Sequence, residues 1–230
     1  MNIAIILSGG IGSRMGRNIP KQYLYIKGKS IIEYSLAKFA EADCIDAIVI
    51  AIADEWKTFV KERLPRTEKQ ILFSPAGETR QLSIFNALKV CSGLLKTNED
   101  MVIVHDAARP LVSKDLIDKC LSNCQYCDGV LPVIPVKDTI YQSADGKSIS
   151  SLLPRKELFA GQAPEAFKFL KYYHLHTSLP NEEIARINGS TEIAYKGGLN
   201  IQLIDGEEMN FKITTGEDLS NFETIISHES

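Results

Sequence analysis

No run of about 18 apolar residues occurs anywhere in the chain, so a membrane-spanning helix is not expected, and nothing at its start resembles a secretory leader. A surplus of basic charge is also missing. Lys and Arg total 26 against 29 Asp and Glu, giving a net charge of -3. Proteins that hold nucleic acid mainly through its phosphates carry the opposite balance, so that class is set aside. The five cysteines, Cys44, Cys91, Cys120, Cys124 and Cys127, are odd in number and do not form a disulfide framework. Together these absences point to a reduced, cytoplasmic protein. Cys120, Cys124 and Cys127 share one helical face, but no fourth Cys or His lies nearby. They are expected to pack as small apolar groups rather than bind zinc. Only four histidines occur, and none is paired with a nucleophile, which leaves little room for Ser/His or Cys/His chemistry.

What is present is an alternation of short apolar runs and helical patterns. Asn2 to Leu7, Ile45 to Ala51, Gln70 to Ser74, Met101 to Val104, Val130 to Val136 and Asn200 to Ile204 read as strands. Helices are predicted from Ser30, whose Ser-x-x-Glu spacing to Glu33 marks a capping box, and over Glu55 to Arg63 and Arg80 to Cys91. Further helices are predicted from near Ser113, over Pro164 to Thr177 and from near Glu217. This pattern predicts an α/β fold, a Rossmann-like, mostly parallel twisted sheet flanked by helices. Residues 1–230 are expected to form one domain. The rhythm breaks over about 137–159, where Thr139 to Gln142 and Ser148 to Leu152 flank Asp145-Gly146, a hairpin signal. A two-stranded arm is marginal in water on its own, so it is expected to pack on something, a second copy of the chain being the natural candidate.

Ligands of such sheets bind beyond the carboxyl ends of the strands. That directs attention to Ser8 to Lys21 and His105 to Pro110. The first holds Ser8-Gly9-Gly10-Ile11-Gly12-Ser13-Arg14, a glycine cluster that either nests a phosphate or simply makes a tight turn. It is not a dinucleotide fingerprint, because Met15 stands where the third glycine belongs. Nor is Gly28-Lys29-Ser30 a P-loop, because Tyr23 replaces its first glycine. Arg14 and Lys21 beside this loop suit a triphosphate, or are solvated surface cations; residue type alone leaves both readings open.

Seven segments in order narrow the choice. They are Leu7-Ser8-Gly9-Gly10-x-Gly12-x-Arg14-Met15 with Pro20-Lys21-Gln22, Gly77 to Ser83, His105-Asp106-Ala107-Ala108-Arg109-Pro110, Lys137-Asp138-Thr139-Ile140, Arg155, Gly161-Gln162-x-Pro164 and Asn210 to Thr214. Over nearly the whole chain they resemble the cytidylyltransferases that act on 2-C-methyl-D-erythritol 4-phosphate and ribitol 5-phosphate. The resemblance implies that Ser8, Gly9, Gly10 and Gly12, with Gly77, Arg80 and Ser83, hold CTP. Arg14, Lys21 and Lys212 would neutralise its triphosphate and act in catalysis. Asp106 would bind a magnesium ion, and Arg109, Thr139, Arg155 and Thr191 the polyol phosphate. Arg155 would reach from the arm into the site of a homodimer partner. His105 is expected to be structural.

Two departures bear on the acceptor. The family's usual Gln-Thr-Pro-Gln is Gln162-Ala163-Pro164-Glu165 here, and its usual acidic pair after threonine is Glu192-Ile193. The arm reads closer to the ribitol branch and the His105 hexapeptide closer to the methylerythritol branch. The expectation leans toward a ribitol 5-phosphate-like acceptor for a cell-wall polymer. The enzyme of isoprenoid precursor synthesis is the alternative, and a sugar 1-phosphate nucleotidyltransferase using another nucleotide a more distant one.

Overall fold

Apolar residues alternate so strictly in the central strands of the sheet that these strands serve two cores. The computed structural model describes residues 1–10 and 19–228. β1 (Asn2–Leu7) lies between β4 (Ala47–Ile52) and β6 (Met101–Asp106), and β5 (Gln70–Pro75) pairs with β4, all four strands running parallel. Beyond β6 come the antiparallel β11 (Glu165–Lys168) and then β7 (Gly129–Pro135). β10 (Phe159–Gly161) pairs with the far end of β7, and β12 (Ile201–Asp205) runs parallel along its other side. The sheet is thus mostly parallel, as the β-α alternation predicts.

Ala4, Ile6, Ile48, Ile50 and Ile103 face a layer containing α1 (Ile31–Glu41) and α4 (Lys114–Asn123), which supply Leu36, Phe39, Leu116 and Cys120. Ile3, Ile5, Val49, Val102 and Val104 face the other layer. There α3 (Arg80–Cys91) and α5 (Phe169–Ser178) supply Ile84, Leu88, Cys91 and Tyr172. The alternation is the two-residue period of a strand made visible. A third cluster seats α8 (Gly216–His228), through Leu219, Phe222 and Ile226, on Ile31 and Ile213. Cys120 and Cys124 are buried in the first core and Cys91 in the second; burial pushes the Cys91 and Cys124 thiols up to about 12. Among the described residues no group of three or more His, Cys, Asp or Glu is placed to hold a metal ion.

The capping box exists: the Ser30 N–H and hydroxyl both donate to the Glu33 carboxylate at 2.7 Å. It follows a tight hairpin of β2 (Tyr25–Ile26) and β3 (Lys29–Ser30). α2 (Asp54–Lys61) joins the first core through Val60.

Three expectations need correction. The predicted helix over Pro164 to Thr177 starts only at Phe169, because Glu165–Lys168 fills the gap between β6 and β7 and satisfies backbone groups on both. His105 and Asp106 finish a strand rather than open a loop. The stretch after α5, for which no helix is predicted, contains α6 (Asn181–Ala185) and α7 (Ser190–Lys196), too short to show a period but anchored by buried Ile184, Ile193 and Ala194. The arm is present with shorter strands, β8 (Tyr141–Gln142) and β9 (Ser151–Leu152). Its turn is locked by the Asp145 carboxylate, which accepts from the Lys147 and Ser148 N–H groups.

Candidate active site

The carboxyl ends of β1, β5 and β6 open on one side of the sheet, and the segments leaving them line a cleft of about 480 Å³. β1 and β6 are in register from Asn2 to Leu7, so Leu7 sits beside Asp106 at that rim. Gly9 and Gly10 continue from β1, and Gly77 follows β5. Arg80 and Ser83 stand in the first turn of α3, Asp106 ends β6, and Lys21 and Lys212 enter from separate loops. Of the sequence-predicted residues the structure therefore brings together Gly9, Gly10, Lys21, Gly77, Arg80, Ser83, Asp106 and Lys212. Gly12 and Arg14 lie outside the described residues.

Close packing holds the walls. A Cβ on Gly9 would fall on the Cβ of Ala76, and one on Gly77 would come within 2.7 Å of the Leu82 carbonyl carbon. Glycine at these positions is a requirement of space. Ser83 Oγ accepts from the Gly77 N–H at 2.9 Å and donates to Thr79 O at 2.9 Å, pinning the loop to the helix that Thr79 caps. The 3-10 turn Lys21–Tyr23 carries Lys21 on one side and the buried Gln22 and Tyr23 on the other. Tyr23 stacks on Trp56 at 4.3 Å.

Electrostatics centre on Asp106. Arg80 Nε lies 3.1 Å from one oxygen of its carboxylate, Lys212 Nζ 2.9 Å from the other, and Arg109 Nε 3.6 Å away. Burial by itself would push this carboxyl up, but the Arg80, Lys212 and Arg109 cations hold it well below the usual carboxylate range. Arg80 also reaches Glu165 at 3.5 Å and Ser190. Ser190 and Thr191 both donate to the Glu165 carboxylate. One arginine fork is thus shared between two buried acids, a satisfied arrangement that leaves Arg80 little freedom. His105 is fully buried and its Nε2 donates to Arg109 O at 3.0 Å; burial drives it down to about 4. It is neutral and structural.

The remaining predicted residues lie elsewhere. Ser8 is behind the wall: its N–H donates to Ala51 O, its carbonyl accepts from Gln22 and Tyr23, and its hydroxyl meets Tyr23. It supports the loop and does not line the cleft. Arg109 is tucked beneath Asp106, donating to Asn210 O at 2.7 Å. Thr191 is spent on Glu165. Thr139 and Arg155 are exposed on the arm and do not line this cleft. Ile193, read as a change in the acceptor pocket, is buried in the core with Tyr172 and Ala194, so that departure concerns packing. Glu165, Ser190 and Gln22 are the structural contributors given no role from sequence; the first two become neighbours of Arg80 only through folding.

Among the described residues that line the cleft, Asp106 is the carboxylate close to both Arg80 and Lys212, and those cations hold its carboxyl well below the usual range. That donor set suits magnesium carried on a triphosphate, since this ion takes few protein carboxylates and fills its shell with phosphate oxygens and water. It does not suit an all-protein metal cage.

Comparisons with known proteins bear on the family and the fold. The family model IspD, 2-C-methyl-D-erythritol 4-phosphate cytidylyltransferase, matches residues 2–228. The chain is 33% identical to the 2-C-methyl-D-erythritol 4-phosphate cytidylyltransferase of Thermosipho melanesiensis, over 95% of each protein. It is 32% identical to that of Caldicellulosiruptor bescii, over 97% of this chain and 96% of the relative. Among solved structures, the enzyme of that name from Francisella tularensis superposes with a TM-score of 0.80 at 28% identity, covering 96% of this chain and 99% of the other.

Proposed function

This chain belongs to the 2-C-methyl-D-erythritol 4-phosphate cytidylyltransferase family and is a CTP-using nucleotidyltransferase, and from that premise we propose that its acceptor is 2-C-methyl-D-erythritol 4-phosphate. The reading that leaned toward ribitol 5-phosphate and a cell-wall polymer gives way. The family model and the relatives reported above carry the methylerythritol name, and the Ile193 departure that favoured a different acceptor lies in the core. The product would be the CDP-linked polyol of isoprenoid precursor synthesis.

The observation that carries the proposal is the convergence of Lys21, Arg80, Lys212 and the Asp106 carboxylate on one glycine-walled cleft. An oxygen of the acceptor's phosphate attacks the α-phosphorus of CTP in line. A new P–O bond forms, the bond to the β-phosphate oxygen breaks, and pyrophosphate leaves. The nucleophile is already anionic, so no residue need remove a proton. The barrier is the meeting of two polyanions, and the chain lowers it with placed cations. Magnesium, held by Asp106 and phosphate oxygens, would offset the charge of the departing pyrophosphate. Arg80 stays anchored between Asp106 and Glu165, while Lys212 exchanges its carboxylate partner for phosphate oxygen as the triphosphate enters. Lys21 meets the triphosphate from the glycine-loop side.

Thr139 and Arg155, on the arm, would complete the acceptor site of a second copy in a homodimer. The exposed apolar side chains Tyr141, Ile149 and Leu152 support this reading, since a free arm would leave them in water. Among the described residues no helix is long and apolar enough to cross a membrane.

Pyrophosphate release tests the proposal. With CTP and magnesium, 2-C-methyl-D-erythritol 4-phosphate is expected to support turnover and ribitol 5-phosphate to be a poor substitute. Faster turnover with ribitol 5-phosphate would reverse the assignment.

A further inference from the structure

Gln22 stands next to Lys21 on the 3-10 turn, is 3% exposed, and donates from Nε2 to two main-chain carbonyls, Ser8 O and Gly10 O, each at 2.8 Å. Tyr23 OH donates to the same Ser8 carbonyl at 2.8 Å and accepts from the Ser8 hydroxyl. A carbonyl oxygen offers two lone pairs, and both of Ser8's are now taken. The Ser8 N–H is fixed as well, on Ala51 O of β4. In a trans peptide the C=O and N–H point in opposite directions. The unit that turns Ser8 O back toward Gln22 therefore turns the Gly9 N–H forward, toward the cleft that Gly9 lines. Among the described residues, neither the Gly9 nor the Gly10 N–H has a partner. Ala76 leaves no room for a side chain on Gly9.

We propose that Gln22 is a positioning residue for the nucleotide: one buried carboxamide clamps the carbonyls on either side of Gly9, aims the Gly9 N–H into the cleft, and, through the same turn, sets where Lys21 enters it. This rests on the reading that the cleft binds CTP. A carboxamide suits the task because it brings two donors from one nitrogen. A side chain that only filled space would leave Gly10 O unpaired and Ser8 O held by Tyr23 alone, and the peptide would be freer to rotate and withdraw its N–H from a ligand.

The test uses Gln22→Met, which keeps length and loses the donors, and Gln22→Glu, which keeps shape, loses the donors when ionised and adds negative charge. CTP-magnesium binding is measured by calorimetry per folded molecule, alongside thermal melting and the KM for the polyol phosphate. The expected result is CTP binding weakened about tenfold or more by Gln22→Met and further by Gln22→Glu, with the acceptor KM within about twofold of wild type. CTP affinity within about twofold of wild type in both variants, with or without a lowered melting temperature, overturns the proposal and makes Gln22 a structural residue only. Equal losses for CTP and acceptor overturn it too. Should one variant fail to fold, the other carries the test. A wild-type protein that does not bind CTP would instead sink the parent reading, and the two failures are told apart by that control.

Discussion

Lys21 and Lys212 are separated by most of the chain, yet both line the cleft that holds Asp106. Their roles follow from charge alone: each is a compact cation where a triphosphate must lose its repulsion for an incoming phosphate. Removing one placed electrostatic contact typically costs about 2.7–4 kcal/mol in the transition state, roughly a hundred- to a thousandfold in rate. Lys21→Ala and Lys212→Ala are therefore expected to fold, Lys212→Ala with a somewhat lower melting temperature because it takes a partner from Asp106, and to turn over at least about a hundredfold more slowly. Wild-type rates in both would remove them from the chemistry. These residues were legible in the sequence because each sits in a short motif with a family likeness. Glu165, Ser190 and Gln22 were not, because nothing local joins position 80 to 165 and 190, or a carboxamide to the loop behind it. The pairings among Arg80, Glu165 and Ser190 exist only once β6, β11 and α7 are packed.

Elements with several turns or strand pairs declared themselves. The α3 span, Arg80–Cys91, coincides with its prediction, and β1 does too. Four-residue β11 did not. It follows a proline, its residues Glu165 to Lys168 show no clear period, and only the unpaired edges of β6 and β7 make it a strand. The arm was legible from Asp145-Gly146, but its strands proved shorter than the alternation suggested. With Tyr141 58%, Ile149 68% and Leu152 62% exposed, its apolar face has too little cover within one chain. Light scattering is expected to give a mass near twice 25.5 kDa, and Leu152→Asp with Ile149→Asp to shift it toward one chain. A wild-type protein that is monomeric throughout would remove the arm's proposed role in a neighbouring site.

At the scale of the whole molecule, two buried cores share one sheet, and polar groups inside them tie stability to pH. His176 donates through Nδ1 to Tyr172 O at 2.8 Å and accepts from Gln81 through Nε2 at 2.8 Å, which defines a neutral ring. Burial pushes it down to about 4, whereas the unfolded chain protonates near its ordinary value of about 6.5. Between those values the unfolded state binds more protons, so stability falls as pH drops through that window. By pH 5 the loss is on the order of 2 kcal/mol. Asp106 acts in a lower window, because its depressed carboxyl adds stability above the ordinary carboxylate range and loses it only on further acidification. Melting followed from pH 7 to 5 is expected to fall more steeply in wild type than in His176→Gln; identical slopes would contradict the assignment.

The central claim is that one triphosphate site is assembled from loops distant in sequence. A crystal structure with CTP and magnesium reads it directly. The account predicts phosphate oxygens between Lys21 and Lys212, with Lys212 Nζ drawn off Asp106 and the base against the Gly9 and Gly77 walls. A nucleotide bound away from Asp106, or one leaving the Lys212–Asp106 pair at its present 2.9 Å, would contradict it.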